Sequence, residues 1–245
     1  MNDLREKQQT AIVTGASSGM GLAITEALLL RGYRVVANSR TISKSCDLKT
    51  SANLLLVDGD IGKKDTAIKV ADAAVKHFGR IDLLVNSAGI YISKPFREYT
   101  SEDFEMMIGT NVAGYFFITQ QAVAQMQRQK FGHVIGISTV LTDQPLAGEH
   151  IALPVLTKST IPAFSRALAM EYVADGIRFN TISPGVVDTP MHAGADHESL
   201  KKLSPAARLV QVSEIVDAVL YLQSALMVNG ENIRIDGGSH AGAKW

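Results

Sequence analysis

Short apolar segments rich in branched residues alternate along this chain with longer segments that have the periodicity of helices. Parallel strands need a long crossover, usually a helix, so the alternation predicts an α/β fold: a doubly wound parallel sheet with helices on both faces. Ligands of such sheets bind beyond the carboxyl ends of the strands, where the strand order reverses. The seven predicted strands are residues 11–13, 35–37, 54–57, 83–85, 134–137, 177–180 and 233–235.

The first predicted strand runs into a turn that contains Gly15, Gly19 and Gly21, and then into an apolar helical segment, residues 22–30. Glycine allows a tight turn and a close backbone approach, and the free N–H groups of a helix start favour an anion. An ordinary strand-to-helix turn could have the same glycines. The position after the first strand nevertheless indicates a phosphate site. Further candidate ligands in this turn are Ser17, Ser18 and Met20.

Composition limits the partners and the compartment. The 245 residues contain no Pro-, Gly- or Ser-rich linker, so we expect one domain, residues 1–245. The 24 basic and 24 acidic residues balance, which argues against nucleic acid or an anionic membrane as the main partner. The one cysteine, Cys46, cannot form an internal disulfide; it suits a reducing cytosol and is expected to be passive. Residues 1–9 lack the apolar core of a secretion signal, and no run approaches the roughly 20 apolar residues of a membrane span, so we expect a soluble, cytoplasmic protein.

The sequence predicts a helix start at Thr100, because the Thr100 hydroxyl can accept a hydrogen bond from a free N–H and the acids Glu102 and Asp103 complement the helix dipole. That helix, or its continuation after a bend near Gly109, is predicted to carry Asn111 and to end at about Gln129. The histidines show no ligand spacing with Cys46 or with each other, so no metal site is predicted.

Seven motifs occur in order and at fitting spacings along the chain. They are Thr14-Gly15-xxx-Gly19-x-Gly21, Asp60-Ile61, Asn86-Ser87-Ala88-Gly89, Asn111-Val112-Ala113-Gly114, Ser138-Thr139, Lys158, and Pro184-Gly185 followed by Thr189-Pro190-Met191. Together they make nearly the whole chain resemble the short-chain dehydrogenases/reductases. The resemblance implies a Rossmann-type fold, a nicotinamide dinucleotide, and a small-molecule carbonyl or alcohol substrate. It also implies a homodimer or homotetramer formed through the helices that carry Asn111 and Lys158.

The end of the second strand is where such proteins distinguish NADP from NAD. Ser39 stands where NAD-using members often have Asp, and Arg40 follows. A guanidinium can bind a 2′-phosphate bidentately, so NADP is predicted, with NAD possible; the alternative is a solvated surface arginine. Other residues that the resemblance assigns to the cofactor are Asp60 and Ile61 at the adenine, Asn86, Ala88 and Gly89 along the turn after the fourth strand, and Pro184, Gly185, Val187 and Thr189 at the nicotinamide amide.

The catalytic residues are where this sequence departs from the family. The resemblance implies a hydroxyl that polarises the carbonyl, a Tyr that gives the proton, and a Lys four residues later that holds the ribose. Thr139, with Ser138 beside it, aligns with the hydroxyl, and Lys158 aligns with the lysine, while Asn111 would support the site helix and a water. Pro154 stands at the Tyr position, and no Tyr occurs between residues 115 and 172. Ser138 and Thr139 could also be ordinary strand-end hydroxyls.

Pro162 is a second disturbance, because it lacks the N–H that would bond the Lys158 carbonyl in a continuous helix. Either the helix kinks or breaks there, or Pro154 or Pro162 occupies a first turn and the helix begins late.

A substitute proton donor is therefore needed. His150 has a suitable reference pKa, although a loop histidine in solvent or at the substrate would look the same. Tyr91 and His192 are predicted to border the substrate pocket. Two hypotheses remain: an NADP-preferring oxidoreductase with a non-standard proton donor, and a catalytically impaired NADP-binding protein with a regulatory or structural role.

Overall fold

The computed structural model describes residues 8–45 and 48–242. Within them one parallel sheet has the strand order β3-β2-β1-β4-β5-β6-β7, so the order reverses between β1 and β4. The predicted Rossmann-type doubly wound fold is confirmed. Its strands are β1 Thr10–Thr14, β2 Arg34–Ser39, β3 Leu54–Asp58, β4 Leu83–Asn86, β5 Gly132–Ile137, β6 Ile177–Pro184 and β7 Asn232–Ile235.

The sixth strand is four residues longer than its apolar run predicted. Residues 181–184 pair with β7, from Thr181 beside Asn232 to Pro184 beside Ile235. This pairing extends the strand through polar residues that an apolar pattern does not mark. Pro184 is the last residue of β6, so its missing N–H does not interrupt the hydrogen bonds between β6 and its neighbouring strands.

Helices cover both faces of the sheet. The α-helices are α1 Gly19–Leu30, α2 Ile42–Ser45, α3 Lys64–Phe78, α4 Ser101–Met107, α5 Gly114–Gln129, α6 Ala152–Glu171, α7 His197–Lys202 and α8 Val212–Ser224. Among the described residues, no helix has the length and apolar character needed to cross a bilayer.

Alternating side chains of the strands divide the core in two. Val13 of β1 packs in one cluster with α1 and α8, while its neighbour Ile12 packs in the other with α3, α5 and α6. This alternation follows from the two-residue period of a strand, and it explains why the runs are apolar at every position.

The helix predicted from Thr100 has a complete capping box. The Thr100 hydroxyl accepts from the Asp103 N–H at 3.2 Å, and the Asp103 carboxylate accepts from the Thr100 N–H at 3.0 Å. The expected bend near Gly109 is a π-helical segment, Ile108–Ala113, between α4 and α5. Such segments occur frequently at functional sites, and this one carries Asn111.

Candidate active site

The glycine turn lies between β1 and α1 and is packed too closely for side chains. A Cβ on Gly21 would lie 2.3 Å from the Gly15 carbonyl oxygen, and one on Gly15 would lie 2.8 Å from the Ala88 backbone. Gly15 and Gly19 have φ of +68° and +52°, which favours glycine. Ser18 precedes α1 without making a side-chain cap, so the N–H groups of the first turn stay available for an anion.

Asn86 lies below this turn rather than in the cavity. Its amide donates to the Thr119 hydroxyl at 3.1 Å, and its Oδ1 accepts from the Thr14 hydroxyl at 3.4 Å. The Thr14 hydroxyl in turn accepts from the Ala88 N–H at 3.1 Å. Asn86 is 5% exposed and does not line the cavity. Asn86 therefore joins the two turns from beneath, and its assignment to the cofactor stays a prediction.

Arg40 lies at one end of the cavity and is exposed. Its guanidinium makes no hydrogen bond or ion pair within residues 8–45 and 48–242. The short helix α2 that follows it is fixed by Asp58, whose carboxylate accepts from the Ser43 N–H at 2.9 Å and from the Ser43 hydroxyl at 2.5 Å. These bonds lower the pKa of Asp58. Ser39, Asp60 and Ile61 line the same end.

Lys158 lies at the other end, beneath Gly89. Its Nζ donates to the Ile137 carbonyl at 2.9 Å, and a Cβ on Gly89 would lie 2.8 Å from that Nζ. Desolvation lowers the pKa of Lys158 from 10.5 to about 8. The ammonium group is therefore an acid whose proton is available near neutral pH.

The Asn111 side chain is occupied by protein partners. Its Oδ1 accepts from the Ile90 N–H at 2.9 Å, and its Nδ2 donates to the Ile90 carbonyl and to the Thr157 hydroxyl, each at 3.0 Å. Asn111 thus joins the chain after β4 to α6, one residue before Lys158. These bonds support the site helix, and the role of Asn111 towards a water stays a prediction.

The helix that carries Lys158 is continuous through Pro162. Pro154 is the third residue of α6, in the first turn, where a missing N–H removes no helical bond. Pro162 is in the interior and leaves the Lys158 carbonyl without its usual helical partner. The Ser138 hydroxyl donates to that carbonyl at 2.9 Å. Ser138 therefore completes α6 from the end of β5, in addition to lining the cavity.

Thr139 follows Ser138 and also lines the cavity, as does Pro154. The Thr139 hydroxyl accepts only a long bond, 3.4 Å, from the Leu141 N–H. It is thus close to free to bind a ligand oxygen.

His150 is not brought to the cavity. Its side chain is exposed, and its carbonyl accepts from the hydroxyls of Ser93 and Tyr99 at 3.0 and 3.3 Å. Its neighbours Glu149 and Ile151 line the cavity instead. The hypothesis that His150 gives the proton is therefore not supported by its position.

Tyr91 and His192 do border the cavity, as expected. The Tyr91 phenol is partly buried, which raises its pKa, so the group stays protonated at neutral pH. The His192 Nδ1 lies 3.0 Å from the Val187 carbonyl, so the ring binds the segment that follows β6.

That segment closes the cavity over the glycine turn. Asp188 donates its N–H to the Val210 carbonyl at 2.9 Å, and Val210 donates its own to the Val186 carbonyl at 2.9 Å. A Cβ on Gly19 would lie 3.4 Å from the Thr189 side chain. Pro184, Gly185, Val187 and Thr189 all line the cavity, as expected.

One cavity of about 660 Å³ joins these groups. With the exceptions of Asn86 and His150, every residue predicted for the site lines it or, like Asn111, supports a residue that does. Sequence reasoning missed the apolar residues Leu141, Leu146, Leu200 and Leu203, because leucines in short helices and irregular segments carry no distinguishing pattern. Within the described residues no group of three or more His, Cys, Asp or Glu could hold a metal ion. Cys46 lies outside the described residues.

Comparison with known proteins agrees with this geometry. A family model described as Enoyl-(Acyl carrier protein) reductase matches residues 15–240. The chain belongs to the short-chain dehydrogenase/reductase family. It is 33% identical over 217 residues to an uncharacterized oxidoreductase of Staphylococcus epidermidis, covering 88% of this chain and 90% of the relative.

Two further relatives have named activities. D-threitol dehydrogenase of Mycolicibacterium smegmatis is 34% identical over 256 residues, covering 96% of this chain and 94% of the relative. The solved structure of a gluconate 5-dehydrogenase from Burkholderia cenocepacia, in complex with NADP and tartrate, matches with a TM-score of 0.87 at 26% identity and covers 96% of each chain. This chain is thus an oxidoreductase of the short-chain dehydrogenase/reductase type.

Proposed function

We propose that the protein is an NADP-preferring oxidoreductase that reduces a ketone or aldehyde, or oxidises the matching alcohol. One observation carries this: a single cavity extends from the uncapped start of α1 and Arg40 at one end to Thr139 and Lys158 at the other. The first end has the chemistry of a dinucleotide phosphate site, and the second has that of a carbonyl site.

Arg40 supports the preference for NADP. Ser39 and Arg40 offer a hydroxyl and an unpaired guanidinium, with no carboxylate at position 39 to repel a 2′-phosphate. Asp60 and Ile61 would flank the adenine, and the backbone of residues 184–189 would hold the nicotinamide amide. The relative from Burkholderia cenocepacia, with NADP bound, supports this cofactor class.

In the proposed reaction Thr139 binds the carbonyl oxygen and polarises it. The nicotinamide cofactor, when bound, supplies the hydride. Pro154 has no acidic proton, so the proton for the developing alkoxide must come from another group. We assign it to the Lys158 ammonium, because Nζ lies at the cavity and burial has lowered its pKa to about 8. Nζ becomes neutral on giving up this proton and regains one from water.

Fluorescence titration with NADPH and NADH, followed by NADPH oxidation over a panel of carbonyl compounds, tests the proposal. We expect NADPH to bind more tightly than NADH and at least one carbonyl to be reduced. Failure to bind either nucleotide would overturn it. Tight binding with persistent inactivity would instead favour the binding protein with a regulatory or structural role.

We also propose that residues 1–245 act as one cytoplasmic domain that forms a homodimer or homotetramer. The aromatic face of α5 and α6 supports the assembly: the rings of Phe116 and Phe164 stack at 5.9 Å, and Phe116 is 43% exposed. Light scattering coupled to gel filtration would give the mass directly, and a monomer at micromolar concentration would contradict the assembly.

A further inference from the structure

The part of the cavity around Thr139 and Pro154 is bounded by two apolar walls. Leu141, Leu146 and Ile151 come from the irregular segment between β5 and α6. Leu200 and Leu203 come from α7 and the residue after it, on the segment that closes over the cavity. These side chains offer dispersion contacts and no hydrogen bonds.

The charges around this part are equally informative. Within the described residues, Arg40 and Lys158 are the only lysine or arginine side chains that line the cavity. Arg40 is at the opposite end. Two of the cations that lie nearby in sequence are paired elsewhere: Lys201 with Glu198 at 2.6 Å and Arg208 with Glu214 at 2.7 Å. The acid that lines this part, Glu149, would repel a carboxylate or phosphate.

We propose that this part of the cavity takes a neutral, mainly apolar ketone or secondary alcohol, with a single oxygen at Thr139. The inference rests on the proposed function and narrows its substrate class. A polyol or sugar acid would place several hydroxyls against leucine and isoleucine side chains, where most lose their bonds to water and few partners, such as Gln144 and His192, line the cavity to replace them. On this proposal the chain acts on a different substrate class from those that the relatives are named for, threitol and gluconate.

The test measures binding without turnover. With the protein saturated with oxidised NADP, a ketone can bind but cannot be reduced, so calorimetry reports its affinity alone. The apolar probes are 1-decalone and 4-phenyl-2-butanone, and the polar probes are erythrulose, 5-keto-gluconate and acetoacetyl-CoA. We expect the apolar ketones to bind at least about tenfold more tightly than each polar probe, given what apolar pockets discriminate.

Equal or tighter binding of a polar probe, or no binding of the apolar ketones, would overturn the substrate class while leaving the proposed function standing. Failure of NADP itself to bind would overturn the proposed function, and the inference with it. The two failures are therefore distinguishable in one set of titrations.

Two substitutions test which walls carry the preference. Leu203→Asn and Leu146→Asn, one from each of the two apolar segments, should each weaken 1-decalone binding about tenfold and leave NADP affinity within about twofold. Leu30→Asn is the matched control, because Leu30 is 89% exposed and does not line the cavity; it should change neither affinity. If both wall variants bind 1-decalone like the control, the apolar walls do not select the ligand.

Discussion

The hydrogen bond from Ser138 to the Lys158 carbonyl replaces the helical hydrogen bond that Pro162 cannot donate, and a double-mutant cycle tests this. Ser138→Ala removes the donor and leaves the carbonyl with no partner, since the residue four positions later has no N–H. An unpaired buried polar group costs about 1–3 kcal/mol. Ser138 is 5% exposed but the bond as a whole is only partly buried, so we expect about 1–2 kcal/mol lost from the free energy of unfolding.

Pro162→Ala restores the N–H at position 162, which can then bond the Lys158 carbonyl within α6. In this background Ser138→Ala should cost less than about 0.5 kcal/mol, giving a coupling energy of about 1 kcal/mol. The measurement is urea unfolding followed by far-ultraviolet circular dichroism, on the native chain, both single variants and the double variant. NADP affinity should follow the same pattern, because the bond fixes the backbone of Lys158.

A matched control separates this coupling from the general loss of a buried serine hydroxyl. Ser183 is fully buried on β6 and donates to the Asn232 side chain at 2.9 Å, with no partner in α6. Ser183→Ala should therefore cost the same in the native chain and in the Pro162→Ala variant. If Ser138→Ala also costs the same in both backgrounds, Ser138 does not compensate for the proline and the reasoning fails.

Three other predictions concern single groups. Arg40→Ala should lower the affinity for NADPH at least about tenfold, because one charge-assisted hydrogen bond is lost, and should leave the affinity for NADH within about twofold. Fluorescence titrations measure both affinities, and equal losses would refute the assignment of Arg40 to the 2′-phosphate. The rate of carbonyl reduction should fall as the pH rises through about 8, because the Lys158 ammonium then loses its proton. Lys158→Met should abolish reduction. A rate that stays constant as the pH rises through about 8 would exclude Lys158 as the proton donor. Burial and the neighbouring Arg178 lower the pKa of His133 from 6.5 to about 3. The unfolded chain therefore binds a proton that the native state does not, and the free energy of unfolding should fall as the pH drops below about 6.5. His133→Gln should make this fall with pH less steep in urea unfolding. An equally steep fall in the variant would contradict the assignment to His133.

The fold could be predicted because its information is local. Each strand is marked by its own apolar run, and the order of strands and helices fixes the parallel sheet. The start of α4 was equally legible, since Thr100 and Asp103 form the capping box within four residues. What sequence could not decide was which polar residues face the cavity. Asn86 follows a predicted strand as Ala88 does, yet it lies one layer below, held by partners from β1 and α5.

The two prolines of α6 show why the site was harder to read than the fold. Local rules allowed either a kinked or broken helix or a proline in the first turn; the second arrangement occurs at Pro154, and α6 continues through Pro162. Pro154 lies in the first turn, where it removes no bond, and Pro162 is accepted because a hydroxyl 24 residues earlier in the chain meets the freed carbonyl. That partner is supplied by tertiary structure, so no window of sequence around Pro162 contains it. The position of His150 likewise depends on residues far away in sequence: the hydroxyls of Ser93 and Tyr99 bind its carbonyl, and the residue is exposed, which is one of the two arrangements open to a loop histidine.

The consequence for function is that Pro154 does not mark a collapsed site. A helix disrupted at its start would leave the position of the Lys158 side chain undefined. Instead, the Lys158 Nζ donates to the Ile137 carbonyl and the Lys158 carbonyl accepts from the Ser138 hydroxyl. The neighbouring Thr157 hydroxyl accepts from the Asn111 amide. Three independent contacts therefore hold the lysine backbone and side chain at the cavity although no tyrosine precedes it. In the proposed reaction an ammonium group held in this way, with a pKa of about 8, gives the proton to the carbonyl oxygen. Whether the protein is a catalyst or only binds the cofactor thus depends on whether Lys158 transfers its proton to the substrate, and the pH dependence of carbonyl reduction measures this directly.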